Sequence, residues 1–395
     1  MTRGNGPSAR VAALLITSFF LVFLGPAVVQ VYLKNLLRGD GTGAKATLIL
    51  AVLYFSFMFW RLLVVKTQRV LGDRLCLILG VAGYLLVPVA LVFTVHFWVL
   101  AAAAAAWGWA AAAIWQTGPL WLYDHTDPRR RGFWAGALYA ALFLGLWCGT
   151  LAVGRAADAK REDLMLWFLI VPGVPAVVLC TILPARPSRA EALSLAGIRT
   201  MLFDRGVAVI GILLFISATT YGLLLGAFRN GIDAAYGAGT VGKVLSNFFA
   251  ARLLVSIAAG HFSDVIARRT VVAAVFAVGG LALAFASIYR GVWALSAAAA
   301  ALGIVGGTVP VSATAYSADW FPPEKRPLAL GAAFFWNDAG TATALLAGQW
   351  LSSLGSGFFS ATSAFALLFL ASAVLSLLLP GMRTALVHES ASNGK

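Results

Sequence analysis

Long apolar runs alternate with short polar segments along the whole chain. Twelve runs can be separated, and each is close to the roughly 20 residues that a helix needs to cross a hydrocarbon core of about 30 Å. They lie near residues 11–33, 46–65, 75–95, 97–122, 133–154, 164–184, 206–228, 242–262, 271–289, 292–316, 328–351 and 358–381. The pattern predicts an all-α integral membrane protein with twelve transmembrane helices.

The composition supports this fold class. Of the 395 residues, 61% are hydrophobic and 11% are charged, and the mean hydropathy is +0.88, which a water-soluble domain of this length could not tolerate on its surface. The segment Met1–Arg10 is basic, and the run after it lacks a small-residue cleavage site, so we expect the first spanning helix to begin at Val11. Cys76, Cys148 and Cys180 fall in apolar runs without metal-ligand spacing, and we interpret them as buried hydrophobic residues.

The basic residues are distributed unequally between the two sides of the predicted membrane domain. If the amino terminus is cytoplasmic, eighteen of the 29 lysines and arginines fall on that side, nine on the other, and two within the runs. The positive-inside rule then predicts that both termini are cytoplasmic in a bacterial-type inner membrane. Because these charges occupy short loops and form no continuous stripe, the net charge of +14 does not indicate nucleic-acid binding.

A polar interior segment divides the runs into two sets of six. We predict a first bundle at 1–184, a cytoplasmic linker at 185–204, and a second bundle with a short tail at 205–395. An offset of 195 residues aligns the two halves and matches Arg10 with Arg205, Arg74 with Arg269, Arg131 with Arg326, and Gly136 with Gly331. The offset predicts two pseudo-symmetric six-helix bundles that arose by duplication.

A motif lies between the eighth and ninth runs, where residues 260–269 read GHFSDVIARR. Gly260 is followed four residues later by Asp264, and then by the pair Arg268 and Arg269. This spacing resembles the loop signature of the major facilitator superfamily, with two positions that depart from it. The aspartate is suited to a helix amino terminus, and the arginines to lipid phosphates or helix carboxyl ends.

The resemblance covers nearly the whole chain and implies helices that alternately open a central cavity to either side. The equivalent first-half segment, residues 65–74, keeps the late glycine and the last arginine but has Arg69 at the aspartate's position. The resemblance implies a gating role for Gly260, Asp264, Arg268, Arg269, Gly72 and Arg74. The alternative is that both segments are tight turns that carry cytoplasmic positive charge.

Three ionisable residues fall within the apolar runs. Each costs about 2.5 to 3.5 kcal/mol on insertion scales, so such residues are functional candidates. Arg252 and Asp338 lie near the middle of their runs, whereas Arg61 lies near a run's end and is expected to extend to the interface. Because the resemblance places helices eight and eleven beside one cavity, Arg252 and Asp338 are expected to be close enough to pair. They could form a structural ion pair, a substrate-binding arginine with a proton-coupling aspartate, or two separate sites.

Polar and aromatic residues within the runs are softer candidates. Amides in apolar surroundings need partners, either in a cavity or between helices, and rings near polar residues can stack on a substrate or simply pack. The predicted substrate-binding residues are Arg252, Asn247, Trp60, Trp115, Gln116, Tyr221, Trp336 and Asn337, and the predicted proton-coupling residue is Asp338.

The chain lacks the sequence signatures of nucleotide-binding loops, zinc sites and nucleophile elbows, so we expect neither an enzyme nor a cofactor. The resemblance and the buried charges together predict a monomeric secondary transporter. It would move a small organic anion, and it would be proton-coupled or an exchanger. Efflux of amphipathic compounds is one alternative. A non-transporting scaffold or assembly protein of the same fold is another, suggested by Arg69 in the first-half loop.

Overall fold

The computed structural model describes residues 9–37, 39–124, 131–184, 195–265, 268–321, 325–354 and 358–378. Regular structure throughout this part of the chain is helical, which confirms the all-α prediction. The α-helices are α1 (Ala9–Leu24), α2 (Val29–Leu36), α3 (Thr42–Gly83), α4 (Leu86–Phe93), α5 (Phe97–Asp124), α6 (Arg131–Asp158), α7 (Glu162–Ile170), α8 (Gly173–Ile182), α9 (Leu195–Leu202), α10 (Arg205–Leu223), α11 (Arg229–Tyr236), α12 (Ala238–Val265), α13 (Arg268–Ile288), α14 (Val292–Trp320), α15 (Arg326–Ser353) and α16 (Phe358–Leu377).

Nine segments of the described chain are long and apolar enough to cross a membrane. One of them, Thr42–Phe93, has 52 residues, which is more than one crossing needs, while α12 and α15 are not among the nine. Large apolar side chains such as Trp98, Trp167 and Trp293 are exposed on the outer surface, as lipid contact requires. The chain is therefore a multi-pass membrane protein, and the number of twelve spans stays a prediction.

A sharp break divides α3 at Gly72, which has φ 75° and ψ 163°. Ser56 donates to the carbonyl of Ala105 at 2.6 Å, and a Cβ on Gly83 would meet Ala110, so the arms of α3 before and after Gly72 lie against the same part of α5. In a straight helix Ser56 and Gly83 would be about 40 Å apart. The chain therefore reverses at Gly72, in a conformation that glycine adopts far more readily than other residues.

Other helices are interrupted without reversing. A 3-10 turn at Pro26–Val28 connects α1 to α2, and a π-helical segment at Leu224–Phe228 connects α10 to α11. Gly226 has non-helical dihedrals within the π-helical segment, which ends immediately before Arg229. Such π segments often mark functional positions in a helix.

Two helix pairs join the first half, up to residue 184, to the second half, from residue 205. They are α6 with α12 and α3 with α15. At the first contact, a Cβ on Gly154 would lie 3.1 Å from the Cα of Gly242 and 2.7 Å from the Tyr32 hydroxyl. That hydroxyl donates to the carbonyl of Thr150 at 2.7 Å. Small residues thus bring the two halves into backbone contact.

Candidate functional site

An ion pair joins the two halves between α3 and α15. The Nε of Arg61 donates to Oδ2 of Asp338 at 2.5 Å, and its Nη2 donates to Oδ1 at 3.2 Å. Only 10% of the Arg61 side chain and 2% of the Asp338 side chain are exposed. Two parallel bonds between a guanidinium and a carboxylate form the strong, planar version of this interaction. Asp338 is therefore held by a residue of the opposite half.

This pair corrects two predictions. The sequence predicts Arg61 at the membrane interface, which is wrong because α3 continues past the apolar run to the break at Gly72 and the residue finds a buried carboxylate. The predicted contact between Arg252 and Asp338 is also wrong, because α15 packs on α3 and the carboxylate bonds to Arg61. The substrate-binding role of Arg252 and the proton-coupling role of Asp338 stay predictions.

Rings and an amide surround the ion pair. The Cζ of Arg61 lies 4.3 Å from the ring centroid of Phe57 and 5.4 Å from that of Phe334. The Nδ2 of Asn337 donates to Oδ1 of Asp338 at 3.2 Å. These contacts offset part of the cost of burying two charges. Asn337, predicted to bind substrate, is thus a partner of the carboxylate.

Arg252 lies near the middle of α12 and has no acidic partner in the described part of the chain. Its Nε is buried without a hydrogen-bond acceptor there, and its Cζ lies 4.8 Å from the ring of Phe143 and 5.8 Å from that of Phe248. The side chain is nevertheless partly accessible. Glycines of α14 allow this helix to pack closely on it, since a Cβ on Gly306 would lie 3.9 Å from its Cζ and one on Gly307 would lie 3.4 Å from its Cγ.

A row of rings extends between the two arginines. Tyr221 of α10 stacks on Phe248 with 5.8 Å between centroids and meets Tyr54 edge-on at 6.1 Å. Tyr54 in turn lies 6.5 Å from Phe57, which contacts Arg61. We call Phe248, Tyr221, Tyr54 and Phe57 the aromatic row. Through it, predicted residues Tyr221 and Arg252 belong to one site.

A second aromatic pair faces the same region from the first half. The ring of Trp115 on α5 lies 6.0 Å from that of Tyr139 on α6 and 6.0 Å from that of Phe23 on α1. Both Trp115 and Tyr139 are partly exposed, as is the neighbouring Gln116. Tyr139 lies one turn before Phe143 on α6, and Phe143 contacts the Arg252 guanidinium, so this pair lies near the guanidinium.

Three residues predicted to bind substrate are held by packing or by a hydrogen bond within their own helix. The amide of Asn247 donates to its own helix, to the carbonyl of Lys243 at 2.8 Å. The indole of Trp336 packs on Gly211, where a Cβ would lie 2.5 Å from Cδ1. Trp60 is partly buried against the apolar core. Helix packing accounts for the position of each of these side chains.

The predicted gating residues contact their own halves wherever the structure describes their side chains. Arg74 donates to the carbonyl of Thr181 in α8, and the Cζ of Arg268 lies 5.9 Å from the Tyr316 ring. Arg269 is exposed, and Gly72 makes the reversal described above. Gly260 and Asp264 belong to the last turns of α12, and their side chains lie outside the described part of the structure. Their gating role stays a prediction.

Residues 207–394, in the second half of the chain, match the family model of the Major Facilitator Superfamily. This match supports membership of the chain in the major facilitator superfamily. Members are typically transporters and not enzymes, which agrees with the apolar helices and supports a membrane transporter in general. No curated protein matches the chain.

The chain also carries a polar cluster that the sequence did not reveal, joining α2 to α11. Arg229, only 2% exposed, donates from Nε to the carbonyl of Val31 at 2.8 Å and from Nη2 to the amide oxygen of Asn35. Asp233 accepts from Lys34 at 2.5 Å and from Asn35 at 3.3 Å. We call Lys34, Asn35, Arg229 and Asp233 the α2–α11 cluster. It links the halves at the ends of these helices.

The repeat offset could have revealed this cluster. Shifting Lys34 and Asn35 by 195 residues gives Arg229 and Asn230, so the same basic-amide pair occurs at equivalent positions in both halves. Each basic residue directly follows the end of an apolar run, and by itself it looks like an ordinary positively charged loop residue. A search for polar pairs repeated at this offset would have separated them from ordinary loop residues.

Proposed function

We propose that this protein is a secondary active transporter that moves a small organic anion by alternating access. The observation that carries the proposal is Arg252, a partly accessible residue whose guanidinium has no acidic partner in the described chain and lies against Phe143 of the opposite half. A buried cation is costly unless an anion neutralises it. A substrate carboxylate would supply that charge, and Arg is suited to bind it through two hydrogen bonds.

Two pseudo-symmetric bundles of six helices, twelve spans in total, suit this mechanism. The close approach of Gly154 and Gly242 joins α6 to α12. Under the 195-residue offset these residues correspond to Gln349 and Thr47, which lie within 3.5 Å of each other between α15 and α3. The two contacts between the halves are thus related by the same offset as the sequence repeat, which supports duplication and a pseudo-twofold axis.

We propose that the α2–α11 cluster closes one end of this arrangement of helices. The α2–α11 cluster joins the halves there, whereas a Cβ on Gly136 or Gly331, near the starts of α6 and α15, would have no described atom within 4 Å. The positive-inside distribution assigns the open end to the cytoplasm of a bacterial-type cell. We propose that the cluster breaks when the opposite end closes.

Asp338 would couple this movement to a proton. A proton on the carboxylate would remove its charge and weaken both bonds to Arg61, at a contact between α3 and α15 that has to change during rocking. Exchange of two anions without a proton is the other mode of coupling, and uptake with and without a pH gradient separates them.

Efflux of amphipathic compounds is the second candidate, favoured by the rings of the aromatic row and by Trp115 and Tyr139. It predicts substrates that are bound without a negative charge. The scaffold alternative predicts no transport of either class.

Uptake by the full chain in proteoliposomes tests the proposal, with radiolabelled small carboxylates and an imposed pH gradient. Arg252→Lys keeps the charge but loses the paired donors, so uptake should fall by about ten-fold or more, and Arg252→Leu should abolish it. Arg155→Lys, an exposed arginine on α6, serves as the matched control and should transport normally. Full uptake by Arg252→Leu would sink the anion proposal, and transport of uncharged amphiphiles only would favour efflux.

A further inference from the structure

The charges in the middle of the molecule do not balance. Two guanidinium groups, Arg61 and Arg252, lie at the two ends of the aromatic row, and Asp338 is committed to the first of them by two hydrogen bonds. Among the described side chains, Arg252 is left with one uncompensated positive charge. We propose, on the basis of the transport function above, that the substrate is a monoanion with a flat aromatic body.

One negative charge is what this site can neutralise. A dianion would bring a second charge into surroundings of rings and glycines, where the remaining cation, Arg61, already has its carboxylate. An uncompensated charge in such surroundings costs several kcal/mol, more than an extra weak contact returns. A dianion would therefore have to displace Asp338 from Arg61, which breaks a nearly fully buried pair.

Flat rings surround the place where the anion would sit. Phe143 and Phe248 lie close to the guanidinium, and its Nε is buried, which leaves the edge that carries the Nη atoms for the carboxylate. The partly exposed rings nearby are Tyr221, Tyr139 and Trp115. Aromatic pairs in offset-stacked or edge-on arrangements gain an attraction beyond area burial, which a saturated body of the same size does not obtain.

Tyrosines of both halves lie near Arg252. Tyr221 stacks on Phe248, which contacts the guanidinium, and Tyr139 lies one turn before Phe143 on α6. A phenol can donate to a carboxylate that a guanidinium already holds. Because Tyr139 belongs to α6 and Tyr221 to α10, a carboxylate bound here would contact both halves. Binding would then favour one arrangement of the halves over the other.

Four small probes separate charge from shape. Benzoate has one charge and a ring, benzamide has the ring without the charge, phthalate has a second charge, and cyclohexanecarboxylate has the charge without a flat ring. Each is titrated against the purified full chain at neutral pH, and binding is measured from the rise in thermal unfolding midpoint and checked by inhibition of uptake. We expect benzoate to bind about ten-fold or more tightly than each of the other three.

Variants assign the binding to the proposed place. Arg252→Lys should weaken the binding of benzoate by about ten-fold and leave the binding of benzamide unchanged. The Arg155→Lys control should change the binding of neither probe. The midpoint of each variant without ligand is measured first, and the inhibition assay serves for any variant whose midpoint falls. If phthalate binds as tightly as benzoate and its binding depends on Arg252, the inference that the substrate carries a single negative charge is wrong, whereas anion transport is not contradicted. If cyclohexanecarboxylate binds as tightly as benzoate, the inference that the substrate has a flat aromatic body is wrong. Absence of benzoate binding, with uptake of another anion intact, would overturn the whole inference without touching the proposed function.

Discussion

The buried pair between Arg61 and Asp338 should show strong energetic coupling. Asp338→Asn leaves a guanidinium that is 10% exposed without its counter-charge, and Arg61→Met leaves a carboxylate that is 2% exposed. Removal of one partner of a buried pair typically costs about 3 to 5 kcal/mol, whereas replacing both by apolar residues is often neutral or stabilising. The double variant Arg61→Met with Asp338→Leu should therefore be more stable than either single variant.

The assay is a double-mutant cycle on the free energy of unfolding in mixed micelles. Arg161 and Asp163 provide a matched control, since they pair at 2.7 Å but are 59% exposed on each side, and we expect no measurable coupling there. If the coupling between Arg61 and Asp338 is no larger than that of the exposed pair, the reasoning from burial is wrong.

Transport separates a structural pair from a coupling pair in the same variants. Asp338→Asn should lose accumulation driven by a pH gradient but retain exchange down a gradient, because the amide cannot carry the proton. The double apolar variant should regain stability without regaining accumulation. Accumulation against a gradient in that double variant would mean that the pair is structural only.

Three further predictions follow from the contacts. Gly154→Ala should lower the thermal midpoint because its side chain would enter the facing helix. Gly136→Ala on the same helix should leave the midpoint equal or higher, since alanine favours a helix by about 0.8 to 1 kcal/mol, and equal tolerance at both sites would contradict the packing argument. Asn35→Ala removes an acceptor of the buried Arg229, which costs about 1 to 3 kcal/mol. Hydrogen exchange should therefore rise in α11 but not in α13. Unchanged exchange in α11 would contradict a stabilising role for the α2–α11 cluster. A reporter fused after Arg199 should be cytoplasmic, and a periplasmic signal would reverse the orientation.

The sequence could predict the helices because lipid makes the choice of secondary structure local. A backbone in hydrocarbon must satisfy its polar groups within its own segment, so a long apolar run becomes a helix whatever its neighbours are. The run predicted at 271–289 is α13, Arg268–Ile288, and the run at 292–316 lies within α14, Val292–Trp320. The family followed from a loop motif whose spacing is also local.

The partners of the buried charges depended on the tertiary structure. Arg61 and Asp338 are 277 residues apart, and no property of either apolar run indicates that α3 packs on α15. The depth of Arg61 in the membrane was mispredicted for a similar reason. The apolar run ends where the composition changes, whereas the first arm of α3 continues to the break at Gly72. Sequence determines which charges are too costly to leave alone in a membrane. Only the packing of one half against the other decides which of them are neutralised within the protein and which, like Arg252, have no acidic partner in the described structure.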